Sequence, residues 1–173
     1  MIRARAAVLA AALVLTVTAV GAAQGPASKS AAPPSPECAR WRDAFASMPL
    51  RMVSIQVGNR TIALRVKAAE TSERQAAGFQ CATPEEIRRY LILFEFGNEI
   101  LTQFHMQNVP AALDIAFAKG DGKIFAIMKM DPSPTELYGP LGPFRYAIEA
   151  HAGFFASQGI RQGEARLVIP PAR

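Results

Sequence analysis

Residues 104–117 read Phe-His-Met-Gln-Asn-Val-Pro-Ala-Ala-Leu-Asp-Ile-Ala-Phe. Two apolar runs flank a polar segment in which Asn108 and Pro110 are typical turn residues. We interpret the stretch as a hairpin, with strands over 101–107 and 113–118 joined by a turn over 108–112. Asp114 interrupts the second run, and a carboxylate inside an apolar strand requires a partner.

Alternation of apolar and polar residues extends outward from this stretch and predicts a chain of short strands. Regular alternation of strands and helices is missing, which argues against a doubly wound parallel sheet. We predict a mainly β (α+β) fold, either an antiparallel β-sandwich resembling a jelly roll or a partly closed barrel, with two to four short helices. The predicted strands cover 53–57, 62–66, 90–96, 101–107, 113–118, 123–130, 144–150 and 165–169, with a turn at 97–98. Helices are predicted over 36–47 and 151–158 and from Thr83. Another short helix is predicted to start at a cap formed by Thr71 or Ser72, with Gln75 completing a capping box with Ser72, and to end at Gly78.

The first residues have the pattern of a cleaved signal peptide. Arg3 and Arg5 precede an apolar run that ends in Gly21-Ala22-Ala23. This run is short against the ~20 residues that span a bilayer, so stable membrane insertion is not expected. The predicted organisation is a signal peptide over 1–23, a flexible linker over 24–36 and a single globular domain over 37–173. A periplasmic or secreted location follows.

The charge balance argues against nucleic acid as a partner. The chain has 19 Lys and Arg against 14 Asp and Glu, and loss of Arg3 and Arg5 would leave a net charge of +3. These positive residues are scattered, whereas nucleic-acid binding usually needs a clustered basic patch. We expect a monomer without a cofactor.

Two cysteines, Cys38 and Cys81, are predicted to form a disulfide in an oxidising compartment. A redox or metal role is the alternative, although the chain has no Cys-x-x-Cys motif. The disulfide would attach the N-terminal part of the domain to its body.

An ordered set of short motifs from residue 62 to residue 169 resembles the domain-of-unknown-function 192 family of small prokaryotic domains. The matching residues are Ala69, Thr71, Glu73, Gly78, Leu93, Phe94, Met106, Asn108, Leu113, Asp114, Phe117, Gly122, Ile124, Pro132, Glu149, Gly153, Gly159 and Gly163. The resemblance implies a compact β-rich fold and no established enzymatic activity.

The chain also departs from the family pattern. His105 stands where the family usually has tryptophan, and Phe79-Gln80 stands where it has Leu-Met. Cys81 takes the place of an arginine that is frequent nearby. Pro110 lies three residues before Leu113 instead of directly before it. A ligand recognised through the tryptophan or the arginine would therefore be lost or changed.

Asp114 and Glu149 are the leading candidates for a polar site, because each interrupts an apolar strand and a buried charge is costly without a partner. In the structural interpretation, Asp114 caps the 108–112 turn, and Glu149 accepts a hydrogen bond from the N-terminus of the 151–158 helix. The functional interpretation is a binding cleft that also includes Met106 and Asn108. In the enzymatic alternative, a hydrolase or carbohydrate-acting enzyme uses the two carboxylates as acid and base.

His105 and His151 form a second tier of candidates, since a nucleophilic site would depend on one of them. No catalytic residue can be assigned, and no Gly-x-Ser-x-Gly, Walker or His-Glu-x-x-His motif occurs. Met and His suit copper, but His105 and Met106 point to opposite faces of a strand, so no metal site is predicted. We expect an exported, non-enzymatic module that binds a small molecule or an envelope component.

Overall fold

The computed structural model describes residues 35–171, so the predictions for the signal peptide and for linker residues 24–34 lie outside the described residues. Helices α1 to α4 cover Pro36–Ser47, Ser72–Ala77, Pro84–Arg89 and Phe154–Ser157. Strands β1 to β9 cover Leu50–Val57, Arg60–Ala69, Ile92–Ile100, Phe104–His105, Leu113–Ala118, Lys123–Met130, Leu137–Tyr138, Phe144–His151 and Ala165–Val168.

Seven strands form a closed barrel in the order β1, β2, β3, β8, β5, β6 and β9. β9 closes it by pairing with both β1 and β6. β2 and β3 run parallel, and the connection between them carries α2 and α3, as parallel neighbours require a long crossover. The predicted mainly β class with short helices is confirmed, and the barrel is closed rather than partly open.

All seven barrel strands contribute apolar side chains to one cluster, the inner core. Val53 and Ile55 come from β1, and Ile148 and Ala150 come from β8. Phe155 of α4 joins them. The remaining buried members are Leu64, Val66, Leu93, Ala116, Ala118, Ile124, Ile160, Ala165 and Leu167.

Strands β3, β5 and β8 are also buried on their outward face, where helices α1 to α3 and the segment around β4 pack. This second cluster, the outer core, includes Phe94, Phe117 and Ala147 from the strands and Phe45 from α1. Phe104 of β4 packs edge-on against Phe94, with ring centroids 5.0 Å apart. Because successive strand residues alternate between faces, a residue of β8 belongs to one core and its neighbour to the other.

Helices α1 to α3 each begin directly after an N-cap residue. Ser35 accepts from the Cys38 N–H at 3.2 Å, and Thr83 and Glu86 form a capping box. Thr71, rather than Ser72, is the N-cap of α2, so a box between Ser72 and Gln75 does not form. The helix predicted over 151–158 is confined to Phe154–Ser157. Within residues 35–171 no helix is long and apolar enough to cross a membrane.

Two predictions about turns are wrong. Strand β3 continues through Gly97 and Asn98 to Ile100, with a shift of register that accommodates them. The 104–117 stretch is not a hairpin, since β4 pairs with β7 and β5 pairs with β6 and β8. In a closed barrel both edges of β5 are occupied, so the segment before it has no edge to join.

The predicted disulfide between Cys38 and Cys81 is present, with Cα atoms 5.5 Å apart. It joins α1 to the segment between α2 and α3. The Cys81 N–H donates to the Asn108 carbonyl at 2.8 Å, and Arg42 of α1 donates to the Cys81 carbonyl at 3.0 Å. Three separate segments are therefore held together at this point.

Replacing both cysteines by serine should lower the free energy of unfolding by about 4 kcal/mol, because the bridge closes a loop between residues 43 apart in sequence. Guanidinium unfolding of the variant and of the oxidised protein measures the difference. Wild-type protein treated with an alkylating agent but no reductant is the control. An unchanged unfolding midpoint in the double variant would contradict a stabilising bridge.

Candidate functional site

A cavity of about 200 Å³ lies in the outer core, between strands β3 and β8 and the end of α2. We call it the Glu149 cavity, after the single acidic residue that lines it. Its other lining residues are Gln75, Ala76, Ala77, Gly78, Phe79, Gln80, Phe94, Phe96, Thr102, Gln103, Phe104, His105 and Val109. A cavity of about 150 Å³ can hold a benzene-sized molecule, so this one has room for a small organic guest.

Glu149 owes its position to the register of three strands. It pairs with Ile92 of β3 on one side and Ile115 of β5 on the other. The side chain therefore points to the outer core, and it is 4% exposed. Its Oε2 atom has no hydrogen-bond partner among residues 35–171. Burial raises the pKa of the carboxyl to about 8, so it is mostly protonated at neutral pH.

Gly78 brings the backbone against this carboxyl. Helix α2 begins at the Thr71 cap and ends at Gly78, whose φ of +46° disfavours any residue with a side chain. A Cβ atom built at Gly78 would lie 3.3 Å from Oε2 of Glu149, which is tighter than most real contacts. Because Gly78 has no Cβ atom, the carboxyl oxygen of Glu149 can lie close to the backbone at this position.

The remaining wall is aromatic and rich in hydrogen-bond acceptors. Phe94, Phe96 and Phe104 contribute rings. The Gln75 amide donates to the carbonyls of Ala69 and Glu95, at 3.3 Å and 2.9 Å, which uses both of its N–H groups. Its carbonyl oxygen accepts no hydrogen bond from the part of the chain that the structure describes. The cavity thus offers acceptors and ring faces to a guest.

Asp114 lies on the opposite face of the sheet from Glu149. It pairs with Ala150, an inner-core residue, and its Oδ2 accepts from the Gly153 N–H at 2.8 Å. The two carboxylates therefore do not share a cleft, and the prediction that they do is corrected by the register. Their expected structural roles are also corrected, since Asp114 and not Glu149 accepts at the start of α4.

Of the other predicted site residues, His105 lines the cavity, whereas Met106, Asn108 and His151 do not. Met106 is buried in the outer core, and Asn108 has a φ of +57° and donates to the Gln80 side chain at 3.5 Å. His105 is exposed and lines the cavity, and its Nδ1 accepts from the Gln107 N–H. His151 is half-buried at the end of β8 and is not a lining residue.

Metal-binding geometry is not found in the described region, since no three His, Cys, Asp or Glu side chains of residues 35–171 group together. His105 and Met106 differ in exposure as the alternation of a strand requires. Most of the lining residues were missed by the sequence prediction. The sequence named Glu149 and His105 as candidates, and Gly78 and Phe94 occur in the family motifs.

The family profile DUF192, described as "Uncharacterized ACR", matches residues 53–167. The chain belongs to the domain-of-unknown-function 192 family. Both Gly78 and Glu149 lie within the matched region, so the cavity is built from the family domain. No curated protein matches the chain.

Two solved structures of low sequence identity share the fold. One is a protein of Sinorhizobium meliloti 1021, provisionally named a transcription regulator, at 24% identity and a TM-score of 0.62. The match covers 70% of this chain and 94% of that protein. The other, of unknown function, is from Novosphingobium aromaticivorans DSM 12444, at 22% identity and a TM-score of 0.61, with 73% and 96% covered. At these identities the likeness concerns the fold alone.

Glu149→Gln should flatten the dependence of stability on pH. The pKa of this carboxyl is about 8 in the folded chain against an ordinary value of 4.5, so between these values the folded state holds a proton that the unfolded state has released. The free energy of unfolding of the wild type therefore falls as the pH rises through this window, by at most about 5 kcal/mol. Guanidinium unfolding from pH 4 to 9 measures the slope.

Glu85→Gln is the matched control, because Glu85 is exposed in the first turn of α3. It should keep the wild-type slope. If Glu149→Gln also keeps that slope, the carboxyl is not held protonated by burial.

Asp114→Ala should destabilise the fold by about 1–3 kcal/mol, since the Gly153 N–H loses its acceptor in a partly buried place. Asp114→Asn retains an oxygen acceptor and should recover much of the loss. Thermal unfolding of both variants measures the effect. A melting temperature equal to that of the wild type in Asp114→Ala would show that this hydrogen bond contributes nothing to stability.

Proposed function

We propose that this protein is an exported, non-enzymatic module that binds a small molecule in the Glu149 cavity. The observation that carries the proposal is Oε2 of Glu149, a buried carboxyl oxygen without a partner in the described chain, which lines a cavity larger than a single water needs. Leaving such an atom unpaired costs about 1–3 kcal/mol. A bound guest that donates a hydrogen bond would remove this cost.

Binding is favoured over hydrolysis because the cavity offers a single carboxyl. A hydrolase that uses an acid and a base needs two groups facing one substrate, and glycosidases keep their two carboxyls about 5–10 Å apart on either side of it. Asp114 faces the inner core instead. The lining residues contain neither cysteine nor serine as a nucleophile.

The exported location rests on the N-terminal pattern of residues 1–23 together with the Cys38–Cys81 disulfide, which persists in oxidising compartments. The intact mass of protein recovered from the periplasm tests it. A mass that still includes residues 1–23 would contradict signal cleavage.

A thermal-shift screen of molecules with up to about ten non-hydrogen atoms tests the binding function. A guest present at 100 times its Kd stabilises the folded state by about 2.7 kcal/mol, which should raise the melting temperature by roughly 10 °C. We expect this increase for the wild type and for Glu85→Gln, and a reduced one for Glu149→Gln. A guest that stabilises all three proteins equally binds elsewhere, and a screen without a guest would contradict the proposal.

A further inference from the structure

We infer that the guest of the Glu149 cavity is a small organic cation, whose ammonium group pairs with the carboxylate of Glu149 while its apolar part lies against the phenylalanine rings. This inference rests on the proposed function and specifies the chemical class of its ligand. It follows from the inventory of charges, donors and rings that line the cavity.

The charges that line the cavity favour a positive guest. Glu149 is the one acidic lining residue, and the lining residues include neither Lys nor Arg. His105, the other titratable lining residue, is exposed, and its Nδ1 serves as an acceptor for the Gln107 N–H. An anion bound here would find no Lys or Arg side chain to compensate its charge, which is unfavourable in a buried place.

The hydrogen-bonding groups that line the cavity also favour a cation. An ionised carboxylate only accepts, and an ammonium group only donates. The N–H groups of Gln75 are used by the Ala69 and Glu95 carbonyls, and Gln80 donates to the Ala76 carbonyl at 2.7 Å. The Gln75 donors are thus engaged with backbone carbonyls, and Oε2 of Glu149 receives no hydrogen bond from the described chain. Once the carboxyl has released its proton, an ammonium group can donate several N–H hydrogen bonds to it.

The aromatic rings that line the cavity also favour a cation. Phe94 and Phe104 meet edge to face, with an angle of 86° between their planes, so the two rings present different orientations to the cavity. Phe96 contributes a third ring. Ring faces attract cations through their quadrupoles, and the attraction grows where water is excluded. Apolar parts of the guest gain from the same surface.

Binding of such a cation must release a proton at neutral pH. Burial keeps Glu149 protonated, since the pKa of its carboxyl is about 8 and no neighbouring charge contributes to that value. An ammonium ion beside the carboxyl favours the ionised form, so the carboxyl proton passes to the buffer as the cation binds. At pH 7 a carboxyl with this pKa is mostly protonated, so binding of the cation should release up to one proton.

Three molecules that share a six-membered ring and differ in head group test the inference: cyclohexylammonium, cyclohexanol and cyclohexanecarboxylate. Calorimetric titrations at pH 7, in two buffers of different ionisation enthalpy, give the affinity and the number of protons released. We expect cyclohexylammonium to bind at least about tenfold more tightly than either of the others. We also expect a proton to be released with the cation and none with the alcohol.

The variants separate the cation class from the binding function. Glu149→Gln should abolish proton release and lower the affinity for cyclohexylammonium at least about tenfold, with a smaller effect on the affinity for cyclohexanol. Glu85→Gln should behave as the wild type. If cyclohexanol or the carboxylate binds as tightly as the ammonium, and no proton is released, the cation class is overturned while the binding function stands. If none of the three binds at millimolar concentration, both are overturned.

Discussion

Burial of β3, β5 and β8 on both faces is the constraint on which the rest of this structure depends. A barrel strand usually has an inner face in a core and an outer face in water, but here three adjacent strands are covered outside by helices α1 to α3 and the segment around β4. Each of these strands therefore divides its residues between an inner and an outer core. A polar residue on such a strand has no face on which water can solvate it, so it needs a partner or remains uncharged.

Asp114 and Glu149 show the two results of that constraint. Asp114 lies near an end of the barrel, where the chain entering α4 offers the N–H of Gly153. Glu149 lies on the other face, where the end of α2 comes close but offers no N–H to its Oε2. One carboxylate thus completes a structural hydrogen bond. The other keeps its proton and leaves one oxygen without a partner beside a cavity, which is the chemical basis of the proposed site.

The sequence predicted most elements because burial alternates along their strands and because the helices begin at recognisable caps. Strands such as β1 and β2 have one apolar face, and their hairpin follows directly from that pattern. The prediction failed where pairing depends on distant segments. The two-residue strands β4 and β7 are too short for a periodic signal, and the occupied edges of β5 become apparent only once the barrel is closed. Glu149 could be named from the sequence as a carboxyl in an apolar strand. The sequence could not show which core the Glu149 side chain faces, because β8 is apolar on both sides.

Gly78 and Glu149 are 71 positions apart in the sequence, yet they lie next to each other in the fold. Gly78 has no Cβ atom, and this leaves room for the carboxyl oxygen of Glu149. A side chain at position 78 would require the Glu149 carboxyl to shift by a few tenths of an ångström and would be strained by the positive φ of that position, so substitutions at the two positions should affect each other.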